Sequence, residues 1–182
     1  MIEPQAGPYL FDTSAQSYLT ASRVLAESEW LASYSVIFPV HVSAVTVVER
    51  MRGYLVAEIQ AEPLRLGVLQ QFTQAYTGSL TLTKILPFGL DEALIAAQLM
   101  ALLPNAPSPA RQSHRLVESR QQRLARWRFD IMIAATALVY NLPLIHNNPQ
   151  DFEPLRAVIE RMPERFPGVG PLNLISVKRL AP

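Results

Sequence analysis

The sequence predicts an α/β fold, specifically a three-layer α/β/α sandwich with a mostly parallel central sheet. Short apolar segments with the pattern of strands alternate along the chain with longer segments of helical pattern. Strands separated by helices are joined by right-handed crossovers, which make neighbouring strands parallel and place helices on both faces. The length of 182 residues allows one substantial core, so we expect residues 1–182 to form a single domain.

The first half of the chain is predicted to contain three strands and four helices. In chain order they are a strand at 9–11, helices at 14–26 and 27–34, a strand at 36–42, helices at 44–59 and 64–76, and a strand at 80–86. Thr13 or Ser14 starts the first helix, Ser43 caps the third, and Pro63 begins the fourth. The alternation of Leu and Thr from residue 80 has the period of a strand.

The second half is predicted to contain four helices and two strands. In chain order they are helices at 91–103, 111–126 and 130–140, a strand at 144–145, a helix at 152–161, and a strand at 172–177. Pro104 ends the first of these helices, and the segment PNAPSP at 104–109 has the composition of a loop. We expect a long loop and a basic helix at about 104–128.

Composition and motifs exclude several classes of function. The chain has no cysteine, which excludes disulfides, thiolate zinc sites and cysteine nucleophiles. It has no GxxxxGK[ST], GxGxxG or GxSxG motif, and its three histidines lack a spacing such as HExxH. No basic-then-apolar signal begins the chain, and its longest apolar run, 131–140, falls far short of the roughly 20 residues of a membrane span. We therefore expect a cytoplasmic protein without membrane contact.

Four acidic residues adjoin or interrupt apolar segments, namely Asp12, Glu49, Asp130 and Asp151. Each has a structural explanation: helix capping for the three aspartates, and a solvent-facing helix position for Glu49. A functional explanation is that they meet in the crevice outside the carboxyl ends of the strands. Mutual repulsion would then favour a divalent cation, and hard oxygen ligands favour Mg²⁺ or Mn²⁺. Such a site indicates metal-assisted phosphodiester chemistry.

A basic segment precedes Asp130. Against one acid, Glu118, it contains seven basic residues, namely Arg111, His114, Arg115, Arg120, Arg123, Arg126 and Arg128. Arginine outnumbers lysine 14 to 2 in the chain, and arginine is the better bidentate partner for phosphate. The segment is either a phosphate-binding surface or an ordinary solvated helix face.

Several segments together resemble one known family. They are, in chain order, YLFDTSAQSYL at 9–19, VSAVTVVERMRGYL at 42–55, LPFGLDEALIAAQL at 86–99, FDIMIAATALVYNLPLI at 129–145 and NNPQDFEPL at 147–155. On these segments the chain resembles the PIN-domain ribonucleases, especially the VapC-like toxins of toxin–antitoxin pairs. The Asp-x-x-Ile-Ala-Ala pattern followed by Asn-x-x-Asp-Phe is the most specific part.

The resemblance implies roles for particular residues. It assigns Asp12, Glu49, Asp130 and Asp151 to an acidic quartet that is both catalytic and metal-binding. Supporting polar residues are Thr13, Ser14, His146 and Asn148, and possible RNA contacts are Arg120, Arg123, Arg126 and Arg128. The chain departs from the family at Ser14, where Asn is usual, at His146, where Thr is usual, and at Asn147, where a basic residue is common.

The resemblance also implies an activity and partners. We expect an endoribonuclease that uses Mg²⁺ or Mn²⁺ and leaves a 5′-phosphate and a 3′-hydroxyl, held inactive by a cognate antitoxin and pairing as a homodimer. One alternative is a catalytically weak or inactive module of the same fold that binds RNA or a protein, which the departures at Ser14 and His146 motivate. Another is that the basic segment recognises a protein rather than RNA.

Overall fold

The structure, a computed structural model, describes residues 2–21, 25–107, 109 and 117–180. In this part of the chain it contains a five-stranded sheet in which all neighbouring strands are parallel. The strands are β1 (Leu10–Phe11), β2 (Val40–Ser43), β3 (Thr83–Leu86), β4 (Leu144–His146) and β5 (Leu174–Ser176). Their spatial order is β3-β2-β1-β4-β5. The predicted α/β architecture is confirmed.

Helices connect and cover the strands. They are α1 (Thr13–Ala21), α2 (Leu25–Ile37), α3 (Ala44–Ile59), α4 (Pro63–Ser79), α5 (Leu90–Leu102), α6 (Arg120–Val139) and α7 (Pro149–Arg161). Among the described residues, no helix is both long enough and apolar enough to cross a membrane.

The alternation of side chains along each strand divides the core in two. Leu10 and Leu144 lie in the cluster formed with α5, α6 and α7. Phe11 and Ile145, one residue further along the same strands, lie in the cluster formed with α1 and α2. This alternation is the period of two that extended backbone imposes. The two clusters on opposite faces make the fold a three-layer sandwich.

The strand order reverses at β1, which pairs with β2 on one side and with β4 on the other. Phe11, the last residue of β1, is in register with Val42 of β2 and with Ile145 of β4. The next row at the carboxyl edge therefore comprises Asp12, Ser43 and His146. Because ligands of open α/β sheets bind at such a reversal point, this row marks the expected site.

Several predicted boundaries were wrong. Val36 and Ile37, predicted to begin a strand, end α2 instead, and β2 begins only after Pro39. The segment Leu80–Leu82 is a 3₁₀ turn, so β3 begins at Thr83 and has four residues. Residues 120–126 and 130–139, predicted as parts of two helices, belong to one continuous helix, α6. The predicted helical residues 111–116 lie outside the described part of the chain.

Candidate functional site

Asp12 follows β1 directly and is buried. The Ala15 amide donates a hydrogen bond to its Oδ1 at 2.5 Å, and the Ser14 hydroxyl donates one to its Oδ2 at 2.7 Å. Asp12 therefore caps α1, as the structural explanation predicted. Burial still raises the pKa of Asp12 to about 7, with a further contribution from the negative charge of Glu49. The hydrogen bonds from Ser14 and Ala15 stabilise the ionised carboxylate, but burial and the charge of Glu49 disfavour it more strongly.

Glu49 is half-buried on α3 and faces α1 rather than open solvent. The Thr13 hydroxyl donates a hydrogen bond to Glu49 Oε2 at 2.5 Å. Thr13, one residue after Asp12, thereby holds the second acid beside the first. Thr13 is one of the residues for which the resemblance implies a supporting role. The two helices meet here because β1 and β2, which precede them, are neighbours in the sheet.

Asp130 lies in the middle of α6, so the capping explanation is wrong for this residue. The N-cap of α6 is Ser119, eleven positions earlier, whose hydroxyl accepts a hydrogen bond from the Gln122 amide. Asp130 is 8% exposed, and no described residue provides a hydrogen-bond partner for its Oδ2. Burial raises its pKa well above the usual value, as do the negative charges of Asp151, Glu49 and Asp12. The four acids therefore share one electrostatic environment.

Asp151 is fully buried in the first turn of α7, where it forms an ion pair. Arg126 Nη1 donates to its Oδ2 at 2.9 Å, and the side chain of Asn148 donates to the same oxygen. Arg126 also donates from Nε and Nη2 to the two carboxylate oxygens of Glu118, at 3.2 and 3.1 Å. Glu118 was missed as a site residue, although its isolation among basic residues in the sequence was a usable signal.

Two of the supporting residues differ in what they contact. Ser14 links the carboxyl ends of β1 and β4, because its hydroxyl contacts Asp12 and accepts a hydrogen bond from the Asn147 amide at 3.3 Å. His146 packs against Phe152, with ring centroids 5.2 Å apart. Burial lowers the pKa of His146 to about 4, so its ring is neutral at physiological pH. At the carboxyl edge of the sheet, His146 therefore contributes packing against Phe152 and no positive charge.

The four arginines proposed as RNA contacts have different environments. Arg120 and Arg128 are exposed and Arg123 is half-buried, whereas Arg126 is 9% exposed and occupied by two carboxylates. With 3.6 residues per turn, Arg123 and Asp130 lie on the same side of α6, while Arg128 points about 200° away from Asp130. We therefore do not retain Arg126 as an RNA contact. Of the others, Arg123 is the best directed towards the acids.

The set of oxygen donors in these four acids implies a divalent metal ion. The described part of the chain contains no group of three His, Asp or Glu side chains already arranged to hold a metal ion. However, the region is rich in buried carboxylates, and two of their oxygens, Asp130 Oδ2 and Asp151 Oδ1, have no hydrogen-bond partner among the described residues. Hard oxygen donors that repel one another suit Mg²⁺ or Mn²⁺. The donor atoms of these residues fit such an ion.

Comparisons with known proteins identify a family and similar folds. The PIN domain family model matches residues 9–156. No curated protein matches the chain with significance.

Solved structures that contain a chain of similar fold include the following three. A chain of VapBC2 from Rickettsia felis, bound to a promoter DNA fragment, is 15% identical, with a TM-score of 0.55 over 92% of this chain and 97% of that one. A chain of DNA-bound VapBC from Salmonella typhimurium is 16% identical, with a TM-score of 0.55 over 93% and 97%. A chain of FitAcB from Neisseria gonorrhoeae is 22% identical, with a TM-score of 0.52 over 80% and 91%.

Proposed function

Because the chain belongs to the PIN domain family, we propose that it is a metal-dependent endoribonuclease and the toxin of a toxin–antitoxin pair. The observation that carries this proposal is the buried acidic group at the carboxyl edge of the sheet. In particular, Asp130 is buried in the middle of a helix that it does not cap, near three other acids. Burying a carboxylate without a partner is costly, so its placement there favours a functional explanation.

The proposed roles follow from the contacts. Asp12, Glu49 and Asp130 bind Mg²⁺ or Mn²⁺. The Ser14 hydroxyl orients Asp12, and the Thr13 hydroxyl orients Glu49. Asp151 supports the site from α7, where Asn148 and Arg126 fix its orientation. When bound, the ion polarises the scissile phosphate, lowers the pKa of a water nucleophile and stabilises the developing negative charge. Cleavage then leaves a 5′-phosphate and a 3′-hydroxyl.

The substrate is guided by the outer part of α6. Arg120 and Arg123 lie one helical turn apart and lead along α6 towards Asp130. We propose that they contact RNA phosphates. Substituting both by Gln should weaken RNA binding uniformly across sequences and reduce its salt dependence. Arg128→Gln removes a charge on the side of α6 directed away from Asp130 and is the matched control, with a smaller effect expected.

The partners are proposed from the similar structures. Two of these are VapBC structures bound to DNA, and we propose that this chain binds a cognate antitoxin. We also propose that it forms a homodimer and acts in the cytoplasm, as the family resemblance implies. Co-expression with the product of the adjacent upstream reading frame tests this. A stable complex with loss of ribonuclease activity supports the proposal, whereas independent purification of the two proteins with undiminished activity contradicts it.

The test of the activity is an RNA cleavage assay with Asp130→Asn. The purified wild-type protein should cleave RNA with Mg²⁺ or Mn²⁺ and not with EDTA, and the variant should lose this activity. Asp91→Asn makes the same change at an exposed acid in the first turn of α5 and should leave the rate unchanged. Undiminished metal-dependent cleavage by the Asp130 variant would refute the proposal.

A second candidate is a binding module of the same fold with little or no nuclease activity. It is favoured by the absence, among the described residues, of a ready-made group of three metal-ligating side chains. The departures at Ser14 and His146 point in the same direction. Calorimetric titration with Mn²⁺ separates the candidates, because the module would bind RNA or its protein partner but no metal.

A further inference from the structure

Arg50, which follows Glu49 on α3, is a half-buried cation held by uncharged groups. Its Nη1 donates a hydrogen bond to Gln16 Oε1 at 3.0 Å, and its Nη2 donates one to the Tyr54 hydroxyl at 3.0 Å. The guanidinium carbon lies 4.4 Å from the centroid of the Tyr76 ring, which is within the range of a cation–π interaction. These contacts with α1, α3 and α4 fix the position of the guanidinium.

These contacts leave the charge of Arg50 without a counter-charge. In the part of the chain that the structure describes, no carboxylate forms an ion pair with Arg50, and the neighbouring Glu49 accepts a hydrogen bond from Thr13 instead. Arg126, by contrast, pairs with two carboxylates. A guanidinium also has more N–H donors than the two that the neighbours of Arg50 occupy. Arg50 can therefore bind an anion without giving up its present contacts.

Arg50 lies next to the acidic group, on the side of α1. On α1, Gln16 follows Thr13 by three residues, so the contacts Thr13–Glu49 and Gln16–Arg50 lie one helical turn apart along the junction of α1 and α3. Helix α1 packs on one face of the sheet, whereas α6, with the arginines already proposed as RNA contacts, packs on the other. Positive charge thus flanks the acidic group from both faces of the sheet.

We propose, on the basis of the proposed function, that Arg50 binds a phosphate of the RNA strand next to the scissile one. The guanidinium fork suits two phosphate oxygens, and Gln16, Tyr54 and Tyr76 hold it in place before RNA arrives, which lowers the entropy cost of binding. Because the acids repel the RNA backbone, fixed positive charges on both sides keep a strand across them. The strand runs from α6 over the acids to the junction of α1 and α3. Arg50 is a substrate-binding residue that contacts neither the metal ion nor the scissile phosphate.

The test measures binding of a fluorescein-labelled single-stranded RNA oligonucleotide by fluorescence anisotropy over a range of salt concentrations, in EDTA so that the RNA stays intact. Arg50→Gln should weaken binding by about 10-fold and reduce the slope of log affinity against log salt by about 0.7, the value for one phosphate contact on a single strand. Arg52→Gln is the matched control, because Arg52 is exposed on α3 and points about 200° away from Arg50. It should have a much smaller effect on both quantities. Wild-type affinity and slope in Arg50→Gln would overturn the inference.

Arg50→Lys separates a phosphate contact from a purely structural tie between helices, and it also serves if Arg50→Gln does not fold. Lysine keeps the positive charge but lacks the guanidinium fork. The variant should therefore bind the RNA more weakly than the wild type, more tightly than Arg50→Gln, and with the wild-type slope. Wild-type affinity in Arg50→Lys, a reduced slope, or a loss equal to that of Arg50→Gln would each overturn the inference.

Two further outcomes separate the role of Arg50 from the proposed function and from a role in protein recognition. A wild-type protein that binds the RNA but does not cleave it with Mn²⁺ would contradict the proposed nuclease activity, while the salt slope of Arg50→Gln would still decide the role of Arg50. If Arg50→Gln binds RNA normally but forms a weaker complex with the co-expressed product of the upstream reading frame, Arg50 contacts the protein partner and the inference is overturned.

Discussion

Replacing Asp12 by Asn should stabilise the metal-free protein while abolishing its stabilisation by metal. Asn is as good an N-cap as Asp, so the hydrogen bond from the Ala15 amide can be retained. What the substitution removes is a buried negative charge next to Glu49. A residue present only for capping would give no such gain.

The magnitude follows from the pKa of Asp12, which burial raises from 3.8 to about 7 in the folded protein. In the unfolded chain the carboxyl releases its proton near its usual pKa, so between pH 4 and about pH 7 the folded state binds more protons than the unfolded state. Stability therefore falls as pH rises through this window and stays low above it. The difference corresponds to about 4 kcal/mol above pH 7 and about 2 kcal/mol at pH 5, at 1.36 kcal/mol per pKa unit.

The assay is urea unfolding of both proteins at pH 5 and pH 8, with EDTA and with Mn²⁺. With EDTA, the Asn variant should be more stable than the wild type, and the gain should be larger at pH 8. With Mn²⁺ at about 100 times its Kd, the wild type should gain about 2.7 kcal/mol and the variant much less. The exposed control Asp91→Asn should lose less than about 1 kcal/mol. A variant that is less stable than the wild type in EDTA at pH 8 would show that the buried charge of Asp12 does not destabilise the metal-free protein.

Three other substitutions test the framework around the site. Arg126→Ala should lower the free energy of unfolding by about 3–5 kcal/mol, because it leaves a buried carboxylate unpaired. Arg156→Ala removes exposed ion pairs and should change the free energy of unfolding by less than about 1 kcal/mol. Equal effects of the two substitutions in urea unfolding would contradict the burial of the Arg126 ion pair. Tyr34→Phe should cost about 1–3 kcal/mol in the same assay, because its hydroxyl accepts a 3.0 Å hydrogen bond from a buried backbone amide; an unchanged midpoint would exclude that bond. Thr13→Val should weaken Mn²⁺ binding by roughly 10-fold or more in calorimetry, because it frees Glu49; an unchanged affinity would show that this hydrogen bond does not serve the metal site.

Local patterns predicted much of the fold correctly. Ser43 was expected to cap a helix, and its hydroxyl does accept a hydrogen bond from the Val45 amide at the start of α3. The strands at 9–11 and 144–145 were found within one residue of their predicted bounds. These features depend on short-range signals, namely a capping side chain and a brief apolar run between breakers.

Composition and periodicity give different predictions for the extent of α6. The polar stretch before Asp130 looks different from the apolar stretch after it, which suggested two helices. However, buried or partly buried apolar residues recur at intervals of three and four throughout, at Leu124, Trp127, Ile131, Ala134 and Leu138. That stripe passes Asp130 without interruption and predicts one helix. The period of this stripe therefore predicts that Asp130 lies inside the helix and does not cap it.

The environment of Arg126 could not be predicted from local sequence. Its partner Asp151 is 25 residues away, on a different helix beyond β4. Whether an arginine in a basic run faces solvent or pairs inside the protein depends on this tertiary contact. Glu118, the one acid in the basic segment, is the nearby sequence feature that indicates an ion pair. The convergence of the acids could be anticipated from the sheet topology, but their individual hydrogen bonds could not.

If Asp12, Glu49 and Asp130 bind a common divalent ion, diffraction from a crystal soaked in Mn²⁺ will locate that ion between them. We expect an anomalous peak with oxygens of all three carboxylates within about 2.6 Å. A fully soaked crystal with no peak beside Asp130, or with the three carboxylates directed to separate surfaces, would contradict it.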